Sequence, residues 1–491
     1  MAMKSYGQQT RRSAYWSFSA KCVQQLFSLV VTLYVARLLG PKDFGVMALG
    51  MAIVVYLNGL TSFGMTGAMI NSDDIDVRQI DALFTLNLSA SALFVLLLFV
   101  FPQEIAALFN SNELAAVFPA LSLIIPLSTF YNLPMALMRR NMDFKGHSLV
   151  DFFQYVAVSA VILVMAMSGF GIWSLVIAQL AGYALSAVAL IVYSGWRPRL
   201  RFEMKPLEGL LEFGVWELLR YNVVYINNYA SYFVVSGGIS PTHLGLYDRA
   251  SSFTNLPYKI MHLQFSAIMF SVFSRIKNDR ERIVRVFNKS LAAYASIIFP
   301  VMSGIALVSD QFTRIFLGNE WLDMIPVLQI LSLYAALKML SGFFGNLNIS
   351  CKNYKKQSMV ELIQAAAKLC LCLAGLKFGM IGIAVGVVLS AFLSLAVNIH
   401  LAASHFNSTR RDFFAMLAPG LIGSAFMTAA VLLVRAACQG GRPLPCLSLE
   451  ILTGATVIVF WNLFCPFPVI REIVAEIFGD LRNSAKVGGR G

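Results

Sequence analysis

Five basic residues stand inside long apolar stretches of this chain: Lys21, Arg220, Lys259, Lys338 and Lys368. A charge at the centre of a bilayer costs about 2.5–3.5 kcal/mol on insertion scales. Five of them facing lipid would cost on the order of 12–17 kcal/mol, as much as a whole domain's stability. Such residues are expected to face a wet cavity, a partner or the membrane interface. In a cavity their chemistry is the binding of anions, phosphate groups above all. Simpler roles exist for three of them. Lys21 lies about two turns into its apolar stretch and can snorkel inward. Arg220 can pair with Glu217 at i,i+3, and Lys368 with Glu361 two turns away.

A second set of residues shares the stretch around Arg220. Tyr221, Tyr225, Tyr229 and Tyr232 fall at i, i+4, i+8 and i+11. On a helix they form one stripe ~16 Å long at 1.5 Å per residue. Asn222, Asn227 and Asn228 lie beside it. Ring faces, hydroxyls and amides suit carbohydrate. They suit interhelical packing and hydrogen bonding equally well. Asp151, Gln154 and the pair Asp248-Arg249 are further polar candidates, the last read as a pair at the end of an external loop. Pro126, Pro134, Pro257 and Gly64 interrupt helical stretches and are hinge candidates, static kinks being the plainer alternative.

The sequence carries no recognisable cofactor site. The seven Cys and five His have no metal-ligand spacing. No phosphate-binding Gly-Lys-Ser/Thr loop is present, so neither a metal nor a nucleotide is expected. Asp73, Asp74 and Asp76 fall in a predicted cytoplasmic loop, which argues against a metal-dependent glycosyltransferase. Cys438 and Cys446 flank one predicted external loop and form either a disulfide or two free thiols.

The elements that must hold these residues follow from composition. The chain has 491 residues, 58% of them hydrophobic and 13% charged. Apolar runs of roughly 20 residues, enough to cross a ~30 Å hydrocarbon core as helix, recur about fourteen times. They begin near Ser13, Phe44, Ala82, Leu114, Ser148, Ile172, Leu210, Leu246, Val284, Leu322, Ser358, Met380, Phe413 and Ser448. The predicted fold class is an all-α polytopic membrane protein. By our count about 26 of the 38 Lys and Arg residues fall at the N-terminus, the C-terminus and alternate loops. This asymmetry places both termini in the cytoplasm. The net charge of +13 therefore reports topology and contact with anionic lipid rather than nucleic-acid binding.

The chain also repeats itself. Gly40-Pro41-Lys42-Asp43-Phe44-Gly45-Val46-Met47 resembles Ser240-Pro241-Thr242-His243-Leu244-Gly245-Leu246-Tyr247, about 200 residues on. Phe170-Gly171-Ile172 pairs with Ile381-Gly382-Ile383. The predicted organisation is a six-helix N-terminal lobe (1–195), a basic cytoplasmic loop (196–208) and a pseudo-symmetric six-helix lobe (209–405). Two further helices (406–470) and an amphipathic cytoplasmic tail (471–491) follow. A parallel repeat of this kind occurs in transporters that rock two halves around a central site. Lys21 and Arg220 fall at nearly equivalent positions in the two halves, which favours a shared lumen.

The same residues carry a family likeness. Ala36-Arg37-Leu38-Leu39-Gly40-Pro41-Lys42-Asp43-Phe44-Gly45, Leu137-Met138-Arg139-Arg140-Asn141-Met142-Asp143-Phe144-Lys145, Leu244-Gly245-Leu246-Tyr247-Asp248-Arg249-Ala250 and Phe270-Ser271-Val272-Phe273-Ser274-Arg275 occur in order. They resemble polysaccharide exporters, the lipid-linked oligosaccharide flippase (Wzx-like) branch of the multidrug/oligosaccharidyl-lipid/polysaccharide superfamily. The resemblance implies a bacterial inner-membrane protein that flips a lipid-diphosphate-linked oligosaccharide by alternating access. It implies membrane lipids and polysaccharide polymerase or assembly proteins as partners. Many relatives carry an Asn-Asp pair in the seventh span, where this chain has Asn227-Asn228. A cation-coupled drug antiporter of the same superfamily would need lumenal carboxylates, whereas the intramembrane charge here leans basic. A polymerase or ligase would need a large external loop, and none is expected. A non-transporting assembly partner is the remaining alternative.

Overall fold

The computed structural model describes residues 24–25, 27–62, 76–140, 144–203, 207–276, 279–351, 353–406, 410–438 and 442–472. Lys21, Gly64, Asp73, Asp74 and the predicted tail helix beyond residue 472 lie outside them. Every regular element among the described residues is a helix. In chain order these are α1 (Phe27–Leu38), α2 (Pro41–Thr61), α3 (Val77–Val100), α4 (Pro102–Ala107), α5 (Asn112–Ser122), α6 (Ile124–Arg140), α7 (Phe144–Met167) and α8 (Ile172–Ser194). Then come α9 (Glu208–Gly238), α10 (Pro241–Pro257), a π-helical turn (Tyr258–His262), α11 (Leu263–Ile276), α12 (Arg280–Phe312), α13 (Met324–Ser350), α14 (Tyr354–Gly375), α15 (Gly379–Phe406), α16 (Arg410–Ala437) and α17 (Pro443–Phe464).

Ten of the described stretches are long and apolar enough to cross a membrane. One of them, Tyr354–Ser404, holds both α14 and α15. Adding the polar α9, the broken α10–α11 and the short α1 gives fourteen helical segments among the described residues, thirteen of them starting near the predicted places, while the predicted start near Ser13 lies outside those residues. The all-α, multi-pass expectation holds. The polar segments carry most of the tyrosines, asparagines and charged residues singled out above.

The chain divides into two compact units, Met1–Arg249 with Leu376–Ile383, and Ala250–Gly375 with Ala384–Gly491. In the first, α8 packs along α6 and α7. The basic loop after α8 is pinned there: the Trp196 ring meets Phe84 edge-on at 5.2 Å, and the Arg201 amide donates to Thr85 Oγ1 at 2.7 Å. In the second unit α12 runs against α13, α16 and α17 around Phe287, Phe343, Phe344 and Phe413. Lipid tails are as apolar as these side chains, so close packing rather than water exclusion must join the helices. Gly420 permits one such approach, since a Cβ there would lie 2.3 Å from the Ala295 carbonyl oxygen.

The repeat is visible in atoms at its best-matched motif. Pro41 and Pro241 each open a helix, where proline's missing N–H costs nothing. Their Gly45 and Gly245 then meet reciprocally within the first unit. A Cβ on Gly45 would lie 1.7 Å from the Pro241 oxygen, and one on Gly245 would lie 1.8 Å from the Pro41 oxygen. The second repeat pair shifts along the chain. Gly171 precedes α8 with φ +55°, and the glycine of like backbone is Gly379, φ +66°, not Gly382. Only glycine adopts such angles cheaply, so Phe378-Gly379-Met380 is the better match to Phe170-Gly171-Ile172.

Two sequence expectations are corrected. The external loop expected to end at Asp248-Arg249 is helix from Pro241 onward. Asp248-Arg249 is accordingly no loop-end pair: Asp248 is buried inside α10. The free-thiol alternative describes Cys438 and Cys446, the Cys446 sulfur lying 3.6 Å from the Cys438 carbonyl oxygen.

Candidate functional site

The tyrosine stripe runs along α9 and turns towards α2 within the first unit. The Tyr221 hydroxyl donates to the Val55 carbonyl and the Tyr225 hydroxyl to the Ala52 carbonyl, both at 2.7 Å. Tyr221 lies over Gly59, where a Cβ would come within 1.9 Å of its ring. Tyr56 donates to Asn222 Oδ1 at 2.9 Å and stacks obliquely on Tyr225 at 4.6 Å. Tyr225 and Tyr229 are stacked at 4.7 Å. Tyr232 donates to Asp248 Oδ1 at 3.0 Å. Three of the four hydroxyls are thus engaged between helices, leaving that of Tyr229. Asn228 is exposed, and Asn227 partly buried.

Two arginines of this unit hold carboxylates. Arg220 is exposed, and its guanidinium grips Glu217 through two contacts, one of 2.8 Å from Nε to Oε2. Arg249 pairs with Asp248 at 2.5 Å, and its guanidinium also lies 4.5 Å above the Phe44 ring. Among the hinge candidates, Pro126 sits in the first turn of α6, just past the break at Leu123. Its missing donor leaves the Ser122 carbonyl without its helical partner, which accounts for that break. Pro134 is buried inside α6.

The second unit holds the other cations. Lys338 lies midway along α13, partly buried, its ammonium 4.9 Å from the Tyr258 ring centre and 5.9 Å from that of Tyr334. Lys368 of α14 is only 2% exposed. Its ammonium is 4.9 Å from the same Tyr334 ring and donates to the Tyr334 hydroxyl at 3.2 Å. Sharing one ring caps the separation of the two nitrogens at the sum of their distances to its centre. At that limit two positive charges repel by about 1.5 kcal/mol at an effective dielectric of about 20. Lys338 makes no ion pair among the described residues. Lys259 is exposed.

Backbone irregularity sets this arrangement. Helical geometry changes directly after Pro257, where Tyr258–His262 form a π turn. The turn stacks Tyr258 on His262 at 4.7 Å and aims Tyr258 at Lys338. His262 is fixed in turn by Tyr294 at Nδ1 and by Ser266 at Nε2, 3.1 Å away. π turns inside helices recur at functional sites.

The sequence pattern of the polysaccharide biosynthesis protein family matches residues 34–326, more than half of the chain. The chain belongs to that family. As a polysaccharide biosynthesis protein it has relatives among transporters. It is 26% identical over 323 residues to the succinoglycan biosynthesis transport protein ExoT of Rhizobium meliloti, covering 66% of this chain and 65% of that one. It is 24% identical over 349 residues to the lipopolysaccharide biosynthesis protein WzxC of Escherichia coli, 70% of each chain. The fold is that of a lipid II flippase, MurJ, solved in an inward closed conformation. The TM-score is 0.76 at 17% identity, covering 91% of this chain and 98% of that one.

Two polar clusters of this family member escape a span-by-span reading. Glu450 of α17 is buried, takes a bidentate grip from Arg435 of α16 at 2.6 and 3.1 Å, and accepts from Gln311 at 2.6 Å. Arg435 also donates to the Leu307 carbonyl at 2.7 Å. Opposite charges on either side of a turn between two apolar spans are the signal that would have found it. The other cluster joins α13, α14 and α15. Asn348 donates to Gln357 and Asn398, Asn398 to Ser341, and Ser394 to Gln364, at 3.0–3.3 Å.

Proposed function

We propose that this protein translocates a lipid-diphosphate-linked oligosaccharide repeat unit across the bacterial cytoplasmic membrane for surface polysaccharide assembly. The observation that carries this is the family match, joined to a pair of lysines on one aromatic shelf within a membrane-spanning bundle. The physical demand fits. A sugar diphosphate cannot cross hydrocarbon unaided, while its lipid tail can stay in the bilayer. The protein must supply a polar path with cations for the phosphates and rings or amides for the sugar. Lys338, with Lys368 on the same ring, is the cation best placed to meet a phosphate, because Arg220 and Arg249 hold carboxylates of their own. Tyr229 is the stripe hydroxyl available to a sugar.

A drug-cation antiporter would use free carboxylates in the same place. Glu217, Asp248 and Glu450 are each gripped by an arginine, which disfavours it, as do the names of the relatives. The lobes at 1–195 and 209–405 would rock around the path in alternating access, with Pro257 and its π turn the best-supported hinge. Both termini would lie in the cytoplasm, following the lysine and arginine asymmetry. The protein would carry its cargo without altering covalent bonds, between the enzymes that build the repeat unit and those that polymerise it.

Deleting the gene tests this. Lipid-linked repeat units should accumulate on the inner leaflet while surface polysaccharide disappears, and the intact gene should restore both. Loss of surface polymer without intracellular accumulation would overturn the transport role.

A further inference from the structure

We propose that the segment Trp196–Glu203, between α8 and α9, is an interfacial foot that binds the headgroup of an anionic phospholipid through Arg197 and Arg199. This goes beyond the transport role above and does not depend on the cargo.

Arg197 and Arg199 are exposed and make no ion pair among the described residues. Pro198 stands between them. Its ring fixes its own φ and keeps Arg197 out of the helical region. Residues two apart share one side of an extended chain, so this spacing presents the two guanidiniums together. Their planar forks match phosphate oxygens. The nearby acids are already engaged or covered. Glu203 pairs with Arg201 at 2.9 Å, and Asp76 lies 3.8 Å from Arg78. Asp81, which the charge of Arg201 also reaches, is buried.

Depth decides what the two arginines meet. The apolar span of α8 ends at Ser194, and Gly195 caps it in the left-handed region with φ +65°. The chain then turns back along α3, held by the Trp196 ring on Phe84 and the Arg201 amide on Thr85. Leu207 closes the anchorage, fully buried in one cluster with Ala82, Leu83 and Phe84. The span on α3 begins at Arg78, so Thr85 lies ~10 Å along it at 1.5 Å per residue. That is the level at which headgroups give way to acyl chains. Leu200 and Phe202 are 64% and 81% exposed there. Facing water, two such side chains are a liability, whereas at this depth they enter the acyl boundary, as the apolar side of an interfacial segment does. The same depth favours lipid over a soluble protein as the occupant. The foot is thus rigidly seated on the bundle and turns two unpaired cations and two apolar side chains to the bilayer.

The test puts a photoreactive group into the full-length protein by Leu200→benzoylphenylalanine. The protein is purified into nanodiscs of phosphatidylcholine with a minority of phosphatidylglycerol, the acyl chains being identical. Light links residue 200 to its neighbours, and mass spectrometry identifies them. The ratio of phosphatidylglycerol to phosphatidylcholine in the adducts should exceed the bulk ratio about 25-fold, each arginine contributing about fivefold. Arg197→Gln combined with Arg199→Gln should return it close to the bulk ratio, while Lys at both positions should keep most of the enrichment. Both arginines are exposed, so these variants leave the core untouched. Phe202→Ser should lower the total lipid adduct and leave the ratio unchanged. Enrichment that persists in the double Gln variant would overturn the proposal, as would adducts in the bulk ratio on the intact protein. Adducts formed only within the protein would overturn it too, marking a face covered by the chain itself. Enrichment abolished by inorganic phosphate would mark a site for free anions and overturn it as well. No transport step enters this readout, so failure of the foot and failure of the transport role are separate results.

Discussion

The α9 stripe and the α13–α14 shelf are both aromatic and both polar, yet they differ in what their polar atoms do. In the first, hydroxyls meet backbone carbonyls of α2, and arginines meet their own carboxylates. In the second, two lysines rest on ring faces, and Lys338 has no carboxylate beside it among the described residues. A cation–π contact stabilises an ammonium by about 0.5–2 kcal/mol, short of the several kcal/mol an ion loses on leaving water. The stripe is therefore a joint closed by its own partners, whereas the Lys338 ammonium is held by ring faces, with no ion pair among the described residues.

Four substitutions would break or sharpen this contrast. The largest effect belongs to a finished joint. Glu450→Ala leaves Arg435 unpaired and should cost about 3–5 kcal/mol, read as a large drop in unfolding temperature in detergent. Adding Arg435→Leu should recover most of that loss, and failure to recover would show that the carboxylate matters apart from its pair. Gly59→Val pushes a branched side chain into the Tyr221 ring and should destabilise by about 1–3 kcal/mol. Tyr225→Phe removes one interhelical hydrogen bond and should cost about 1 kcal/mol while surface polysaccharide is still made. A transport defect at normal protein level would move Tyr225 from joint to site. Lys338→Gln is the reverse case. It should change the unfolding free energy by less than about 0.5 kcal/mol, as a substitution outside the core does, yet abolish most export. A strong loss of stability would make Lys338 part of the frame instead.

The positions of the fourteen segments were readable because length and apolarity decide a membrane span almost alone. The Pro41 and Pro241 motifs were readable as well, since proline and glycine fix backbone geometry locally. Pairing was harder. Arg220–Glu217 follows from i,i+3 spacing, but Arg435–Glu450 spans two helices and has no such rule. Asp248-Arg249 was misplaced because two adjacent charges look like a loop; their mutual pairing, the Tyr232 hydroxyl on Asp248 and the Phe44 ring beneath Arg249 make burial tolerable. The shelf was hidden for a related reason. Lys338 and Lys368 are visible one by one, but Tyr258 comes to Lys338 from far upstream in the chain, through a π turn that follows Pro257 and has no sequence rule of its own.

The reciprocal seating of Gly45 and Gly245 has a consequence for how such a chain can vary. It is an isologous contact, of the sort that joins two identical subunits, yet both sides are encoded in one polypeptide. In a dimer any substitution strikes twice, whereas here each side mutates alone, and a methyl group on either meets the other's backbone. The two halves of this chain can drift apart over most of their length while these two positions stay bound to a common fate.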